Sequence, residues 1–356
     1  MKTIISEGLA KIKIESRKVV SKEMKVFYNP VMSINRDISV LLLNSINKNN
    51  MQIADPLAAS GIRGIRFLKE LSKNKIKNIS INDYDKNSII SIKNNLKLNK
   101  IKNNGSKIKI FNEDANLFLL NSAGFDYIDI DPFGSPNFLL NSSIVRLARE
   151  GILAVTATDT GALCGSFPDA CIRKYWAVPK SDAIMHETGL RILIRKIQLI
   201  AAQYDKALTP IFSYSKEHYM RVFLKNEKGK NKAGEILKMH GMFGNAGPMW
   251  LGNLFDYKLS AKMHVNSVKN KMFRKNKELI AFLKIIKEES KINSVGFYDI
   301  HDICSKNKIS FMPTIKKLIK EIEGNGYNAS KTHFKGEGIR SNIPLNELIK
   351  LLEKLE

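Results

Sequence analysis

Cysteine is scarce in this chain: three residues in 356. A count so sparse and odd builds no disulfide framework and suits a reducing compartment. Histidine is scarce as well, with six scattered residues. Cys164 and Cys171 have no further Cys or His at ligand spacing, so buried thiols are expected rather than a metal site. No apolar run approaches the roughly 18 residues that a membrane helix needs. The first residues reach an acid at Glu7 after too short an apolar run for a secretory leader. These absences together predict a soluble, cytoplasmic protein.

Acidic residues are also in deficit, 34 against 58 basic ones, which leaves a net charge of +24. A field of that sign concentrates polyanions and speeds their capture. Arginine is thin within the basic set, 12 of the 58. A chain that defaults to lysine keeps arginine where a planar, multi-donor fork is needed. Arg36, Arg63, Arg66, Arg173, Arg191, Arg221 and Arg340 all fall in motif-like stretches.

Apolar residues make up 44% of the chain, enough for two cores of unequal size. Short apolar runs at 51–54, 79–82, 108–111, 125–130 and 151–157 read as strands, with helical patterns between them. Strands alternating with helices at this spacing predict a parallel sheet covered on both faces. A long helix is expected around 187–204, then two antiparallel strands at 209–214 and 218–224. Residues 225–245 are polar and Gly-rich and read as a connection. Helices at 297–306 and 312–323, a basic hairpin over 327–343 and a closing helix at 345–355 have a winged-helix layout. The expected division is 1–225, a connection over 226–253, and a smaller α+β domain over 254–356.

Four stretches carry chemistry. In the first, Ser60-Gly61-Ile62-Arg63-Gly64 follows a strand and opens a helix. Glycine there lets the backbone approach a nucleotide-like ligand. Asp83, about 20 residues on at the next strand end, is placed to grip ribose hydroxyls. The pattern is not Gly-x-Gly-x-x-Gly, so a single adenosine without phosphates fits better than a dinucleotide. The second is Asp129-Ile130-Asp131-Pro132-Phe133-Gly134-Ser135-Pro136, at the carboxyl end of the fourth strand, where open sheets bind ligands. An aromatic amine is a weak nucleophile because its lone pair is delocalised. A carboxylate that accepts its N–H hydrogens orients the lone pair and can take a proton. Asp131 has that role here, and Phe133 offers a face on which a flipped base stacks. The third is Phe27-Tyr28-Asn29-Pro30 with Asn35-Arg36-Asp37; a staple and cap would explain Phe27 or Asn35 but not Arg36. The fourth is 156–165, small and hydroxyl-rich, which suits a pocket wall.

Taken together these residues resemble the tRNA (guanine-26-N2)-dimethyltransferase family. The matching stretches are collinear over nearly the whole chain. They include Glu7-Gly8, the Phe27 and Arg36 stretches, 59–66, Asn82-Asp83, Asp114-Ala115-Asn116, 131–136, 156–159 and Leu163-Cys164-Gly165. Later matches are His186-Glu187 with 189–193, Gly247-Pro248-Met249-Trp250-Leu251-Gly252, Thr332-His333-Phe334 and Gly338-Ile339-Arg340. The resemblance implies an α/β, class I (Rossmann-like) methyltransferase with a mostly parallel seven-stranded sheet and a family-specific C-terminal domain. It implies S-adenosylmethionine as cofactor, with contacts from Arg36, Arg63, Asp83, Asp114 and Ala115, beside the Gly61 turn. It implies a base site at Asp131, Pro132, Phe133 and Phe27, and tRNA as partner, with no obligate protein partner. Many members carry Cys-x-x-Cys pairs before the Gly-Pro-Leu-Trp-like motif; residues 225–245 here have no cysteine, so no zinc is expected. Two alternatives stay open on the sequence: methylation of another nucleobase amine, and a non-catalytic tRNA-binding protein.

Overall fold

The computed structural model describes residues 2–15, 26–102 and 105–355. Met1 and Glu356, the ends of the two expected domains, lie outside the described residues. An N-terminal hairpin, β1 (Lys2–Glu7) and β2 (Ala10–Glu15), precedes α1 (Ser33–Ser45). Then come β3 (Met51–Asp55), α2 (Ile62–Glu70), β4 (Ile76–Asn82), α3 (Lys86–Leu98), β5 (Ile108–Phe111), α4 (Ala115–Leu120) and β6 (Phe125–Ile130). They are followed by α5 (Asn137–Arg146), β7 (Leu147–Ala157), α6 (Thr160–Leu163), α7 (Pro168–Tyr175), α8 (Met185–Ala202), β8 (Lys206–Lys216) and β9 (Tyr219–Lys228).

Seven of these strands form one sheet in the order β5-β4-β3-β6-β7-β9-β8. The pairs from β5 to β7 are parallel, and β9 runs antiparallel to both its neighbours. The expected seven-stranded, mostly parallel sheet is therefore present. The central strands are buried on both faces, which is why they read as short continuous apolar runs. The strand order reverses between β3 and β6, whose carboxyl ends hold Asp55 and lead into Asp131. Ligands of open α/β sheets bind at such a switch point. Helix starts are fixed by acids: Asp85 accepts from Asn87 N and Ser88 N at α3, and Asp114 accepts from Asn116 N and Leu117 N at α4.

The stretch 226–253, read as a connection, carries the end of β9, then α9 (Lys230–Lys238), β10 (His240–Phe243) and β11 (Ala246–Trp250). Helix α9 buries only Ala233, so it has almost no apolar face to announce it. Next are α10 (Tyr257–Lys269) and α11 (Lys277–Glu289). Their Met263, Leu279, Leu283 and Ile286 belong to the large core, and Asn266 Nδ2 donates to Ser45 Oγ of α1 at 2.9 Å. The expected boundary at 254 thus falls within the larger packing unit. A second core spans Ile300 to Leu352. It is built from β12 (Tyr298–Asp299), α12 (Ile300–Lys306), α13 (Ile315–Gly324), β13 (Ala329–Lys331), β14 (Gly338–Ser341) and α14 (Leu345–Leu355). The helix-helix-hairpin-helix layout is as expected, but residues 298–299 are strand, paired with β14. Asp299 ends that strand and caps α12.

The two cores are joined by buried charge. Arg340 on β14 bonds Glu187 of α8 at 2.6 Å and Glu289 of α11 at 2.9 Å. Glu187 also holds Arg191 at 2.8 Å, and Arg191 Nη1 donates to the carbonyls of Trp250 and Gly252. Burial pushes the Glu289 carboxyl up, but His333 and Arg340 outweigh it and hold it at about 2. His186-Glu187 is accordingly a packing element: Glu187 is the buried anchor of this junction.

Candidate active site

A cavity of about 740 Å³ opens at the switch point. Its wall includes Asp55, Leu57 to Ser60, Ile62, Arg63 and Asp83 on one side. Phe27, Arg36, Asp131, Pro132, Phe133 and Phe138 also line it, with Glu217, His218 and Tyr219 at the β8–β9 turn. The structure thus gathers seven of the ten residues singled out from sequence. Gly61 lies between two lining residues. Its φ of +75° is left-handed, and a Cβ there would meet Ile92 Cγ1 at 3.0 Å, so the turn needs glycine. Asp114 and Ala115 are not among the lining residues; Oδ1 of the exposed Asp114 caps α4.

The loop after β6 is held rigidly. Gly134 N donates to Thr158 Oγ1 at 2.6 Å, and Thr158 N donates to Gly134 O at 3.0 Å. The Phe133 ring meets Phe27 edge to face, with centroids 4.4 Å apart and planes at 79°. Such a pair is a favourable aromatic geometry and brings together residues more than a hundred positions apart. Asp131 Oδ2 is ion-paired with Arg63 Nη2. Arg63 is itself fixed: its Nη1 reaches Asp129 Oδ2 at 3.2 Å, and both its Nη atoms donate to Asn35 Oδ1 at 3.1 Å. Arg63, which the resemblance gives to the cofactor, lines the cavity, and its guanidinium also grips the carboxylate of Asp131.

Behind this pair lies Asp129, fully buried, bonded by Arg221 Nη1 at 2.9 Å and Nη2 at 2.7 Å and by Tyr127 Oη at 2.6 Å. Burial pushes the Asp129 carboxyl up, but Arg221 and Arg63 more than reverse it. Arg36 makes a two-pronged pair with Glu7, Nε to Oε1 at 2.6 Å and Nη2 to Oε2 at 2.5 Å. Glu7 also takes Arg66 at 2.9 Å and Tyr28 Oη at 3.0 Å. Burial raises the Glu7 carboxyl, yet Arg36 and Arg66 hold it down at about 2. The N-terminal hairpin therefore supplies the anchor of Arg36. Gly8 is left-handed, and a Cβ on it would collide with the Glu70 carboxylate.

Asp55 was not singled out from sequence. It ends β3 at the switch point, is buried, and its Oδ2 accepts no hydrogen bond. Burial pushes its carboxyl up to about 7; Arg63 opposes, while Asp129, Asp131 and Asp83 add to the rise. An acid at the end of the first strand of the alternating pattern, directly before Pro56, is the available signal. Asp83 accepts from Ala59 N at 2.7 Å and Asp85 N at 2.9 Å.

The three cysteines are buried, and burial pushes the Cys164 and Cys171 thiols up to about 12. Among the described residues no three His, Cys, Asp or Glu side chains gather so as to hold a metal ion. Among them, too, no helix is long and apolar enough to cross a membrane.

Comparison with known proteins matches residues 8–245 and 235–353 to the family model described as N2,N2-dimethylguanosine tRNA methyltransferase. A tRNA (guanine(26)-N(2)/guanine(27)-N(2))-dimethyltransferase of Aquifex aeolicus is 38% identical, covering 99% of this chain and 96% of that one. A tRNA (guanine(26)-N(2))-dimethyltransferase of Methanococcus maripaludis is 36% identical, covering 99% of this chain and 98% of its own. Among solved structures, the complex of Trm1 from Pyrococcus horikoshii with S-adenosyl-L-methionine superposes with a TM-score of 0.89 at 35% identity. That match covers 98% of this chain and 99% of the other. With the family model and relatives of this identity spanning nearly every residue, the chain belongs to the N2,N2-dimethylguanosine tRNA methyltransferase family.

Proposed function

We propose that the chain transfers one or two methyl groups from S-adenosylmethionine to the exocyclic N2 of guanine 26 in tRNA, with Asp131 as the group that receives the amine. The observation that carries this reading is the placement of Asp131 at the switch point, one carboxylate oxygen fixed by Arg63 and the Phe133–Phe27 pair beside it.

The cavity wall fits the cofactor. A buried, unpartnered carboxylate oxygen on Asp55 suits a cationic ammonium. Asp83, at the end of β4, suits ribose hydroxyls. Arg36, held by Glu7 through Nε and Nη2, lines the cavity and leaves Nη1 for a carboxylate. The left-handed backbone at Ala59 and Gly61 brings main chain to the wall. A volume of about 740 Å³ is in the range of ligand pockets. When bound, S-adenosylmethionine supplies an electrophilic methyl group on a sulfonium.

The chain's own residues supply orientation and a proton acceptor. Arg63 occupies Oδ2 of Asp131, and no described residue donates to Oδ1. Oδ1 therefore accepts an N2–H of guanine, directs the nitrogen lone pair, and takes the proton released as the N–C bond forms and the methyl carbon–sulfur bond breaks, its electron pair leaving on a neutral thioether. Phe133 and Phe27 hold the extruded base by stacking and edge contact. The positive charge carried by the chain, the C-terminal unit included, supplies attraction to the tRNA backbone.

The test is nucleoside mass spectrometry of tRNA transcripts incubated with the protein and S-adenosylmethionine. N2-methyl- and N2,N2-dimethylguanosine are expected from a transcript with guanine at 26 and not from its adenine-26 counterpart. No methylated guanosine from either, or equal yields from both, overturns the reading.

A further inference from the structure

Seven arginines stand out in the sequence, and six have a structural account. Arg36, Arg63, Arg66, Arg191, Arg221 and Arg340 are all buried and paired. Arg173 is the exception: it is exposed on α7 and has no hydrogen-bond or ion-pair partner among the described residues. In a chain that defaults to lysine, an arginine retained on an open surface asks for a partner with acceptor oxygens or a planar face.

Its neighbours make that request specific. Helix α7 presents Ile172, Arg173 and Trp176 to solvent at helical spacing, with Asp169 one turn earlier. Trp176 is 51% exposed and Phe167, just before the helix, is 66% exposed. Trp176 caps α7 with φ +57° and ψ +40°. That left-handed position normally takes glycine, and a bulky residue there is an outlier. The ring is also fixed. Lys196 Nζ lies over it, 2.8 Å from the centroid, while Arg195 Nη1 holds the main chain by donating to the Trp176 carbonyl at 3.1 Å. A half-exposed indole backed by the buried Lys196, with the exposed Arg173 three residues earlier on the same helix, has the composition of a nucleic-acid stacking platform.

The surface is coupled to the cavity. Tyr175 of α7 donates within reach of Asp159 Oδ1, 2.7 Å, and Ser135 Oγ, 3.1 Å. Asn137 Nδ2 donates to the Lys174 carbonyl at 2.8 Å. Ser135 belongs to the Asp131 loop, and Asn137 opens α5 directly after it, so α7 is braced against the loop that carries the candidate catalytic carboxylate. We propose that α7 and Trp176 form an RNA-binding surface that holds the tRNA beside the cavity mouth, Trp176 stacking on an exposed base or ribose and Arg173 contacting a phosphate. This rests on the reading of the cavity as a tRNA methyltransferase site.

The experiment compares wild type with Trp176→Gly, Trp176→Phe and Arg173→Glu on a tRNA transcript. Glycine suits the backbone at 176, and Arg173 is unpaired, so neither change attacks the fold; melting temperature and S-adenosylmethionine affinity serve as controls. Trp176→Gly is expected to raise the KM for tRNA about ten-fold, the scale of one lost stacking contact, with kcat within about two-fold and Phe restoring most of the loss. Arg173→Glu is expected to weaken tRNA binding and lower its log–log salt slope by about 1. Unchanged KM and salt slope in both variants overturn the proposal and leave the patch to a protein partner. A wild type that methylates no tRNA is a different result and strikes the proposed function itself.

Discussion

Asp55→Asn is the perturbation whose consequences follow most directly from the cavity. The Asp55 carboxyl is pushed by burial up to about 7 from an ordinary 3.8. In the folded, ligand-free protein it therefore keeps its proton across a range in which the unfolded chain has lost it. A raised acid of this kind subtracts stability as pH climbs from about 4 to about 7, and the subtraction is complete above that. The gap is worth roughly 4 kcal/mol as an upper figure. A bound ammonium reverses the preference, because it favours the ionised carboxylate. Affinity for S-adenosylmethionine should then follow the ionised fraction of Asp55 and rise about fifteen-fold between pH 5.5 and 7. An α-amino group stays charged over that window, since its ordinary value is about 7.7–8.0. Calorimetric titration at several pH values measures this. Asp55→Asn should bind more weakly at pH 7, lose the pH dependence, and melt at a higher temperature than wild type when ligand-free at pH 8. A flat wild-type profile, or an Asn variant that keeps the same slope, refutes the reasoning.

Two further outcomes concern the frame of the site. Arg340→Met leaves Glu187 and Glu289 buried without their shared cation and should cost about 3–5 kcal/mol, read by urea denaturation. Because Glu289 is held near 2 against an ordinary 4.5, its contribution is complete above about pH 4.5 and fades as pH falls toward 2; the wild type should lose stability over that interval more steeply than Arg340→Met. Gly61→Ala places a side chain at φ +75° against Ile92. It should cost about 1–2 kcal/mol and weaken S-adenosylmethionine binding.

Much of this architecture is legible in the sequence for a physical reason. Parallel strands buried on both faces must be short apolar runs, and their connections must return on a helix, so 125–130 followed by Asp131 announces a ligand-facing strand end. The pairing of Phe27 with Phe133 is different. Each residue is visible alone, but only the fold brings the rings within 4.4 Å. The misses share a cause: they depend on tertiary partners. Helix α9 has one buried residue and so no apolar stripe to read. The hairpin β1–β2 carries Glu7, whose meaning appears only when Arg36, Arg66 and Tyr28 converge on it. Arg63 lines the cavity as expected of its position, but its grip on Asp131 is not readable, because the residue types do not reveal which carboxylate a guanidinium will meet. Asp55 is one acid among many in the sequence, and its burial is what sets it apart.

The central claim is that Asp131 orients and deprotonates the guanine amine while the methyl donor is held by other residues. The most direct measurement is single-turnover methyl transfer to a guanine-26 tRNA transcript by Asp131→Ala, alongside S-adenosylmethionine binding by the same protein. The expected result is a rate lower by about 10²–10⁴, the scale of a positioned acid–base group, with donor affinity within about three-fold of wild type. Transfer at the wild-type rate with donor binding intact contradicts the claim.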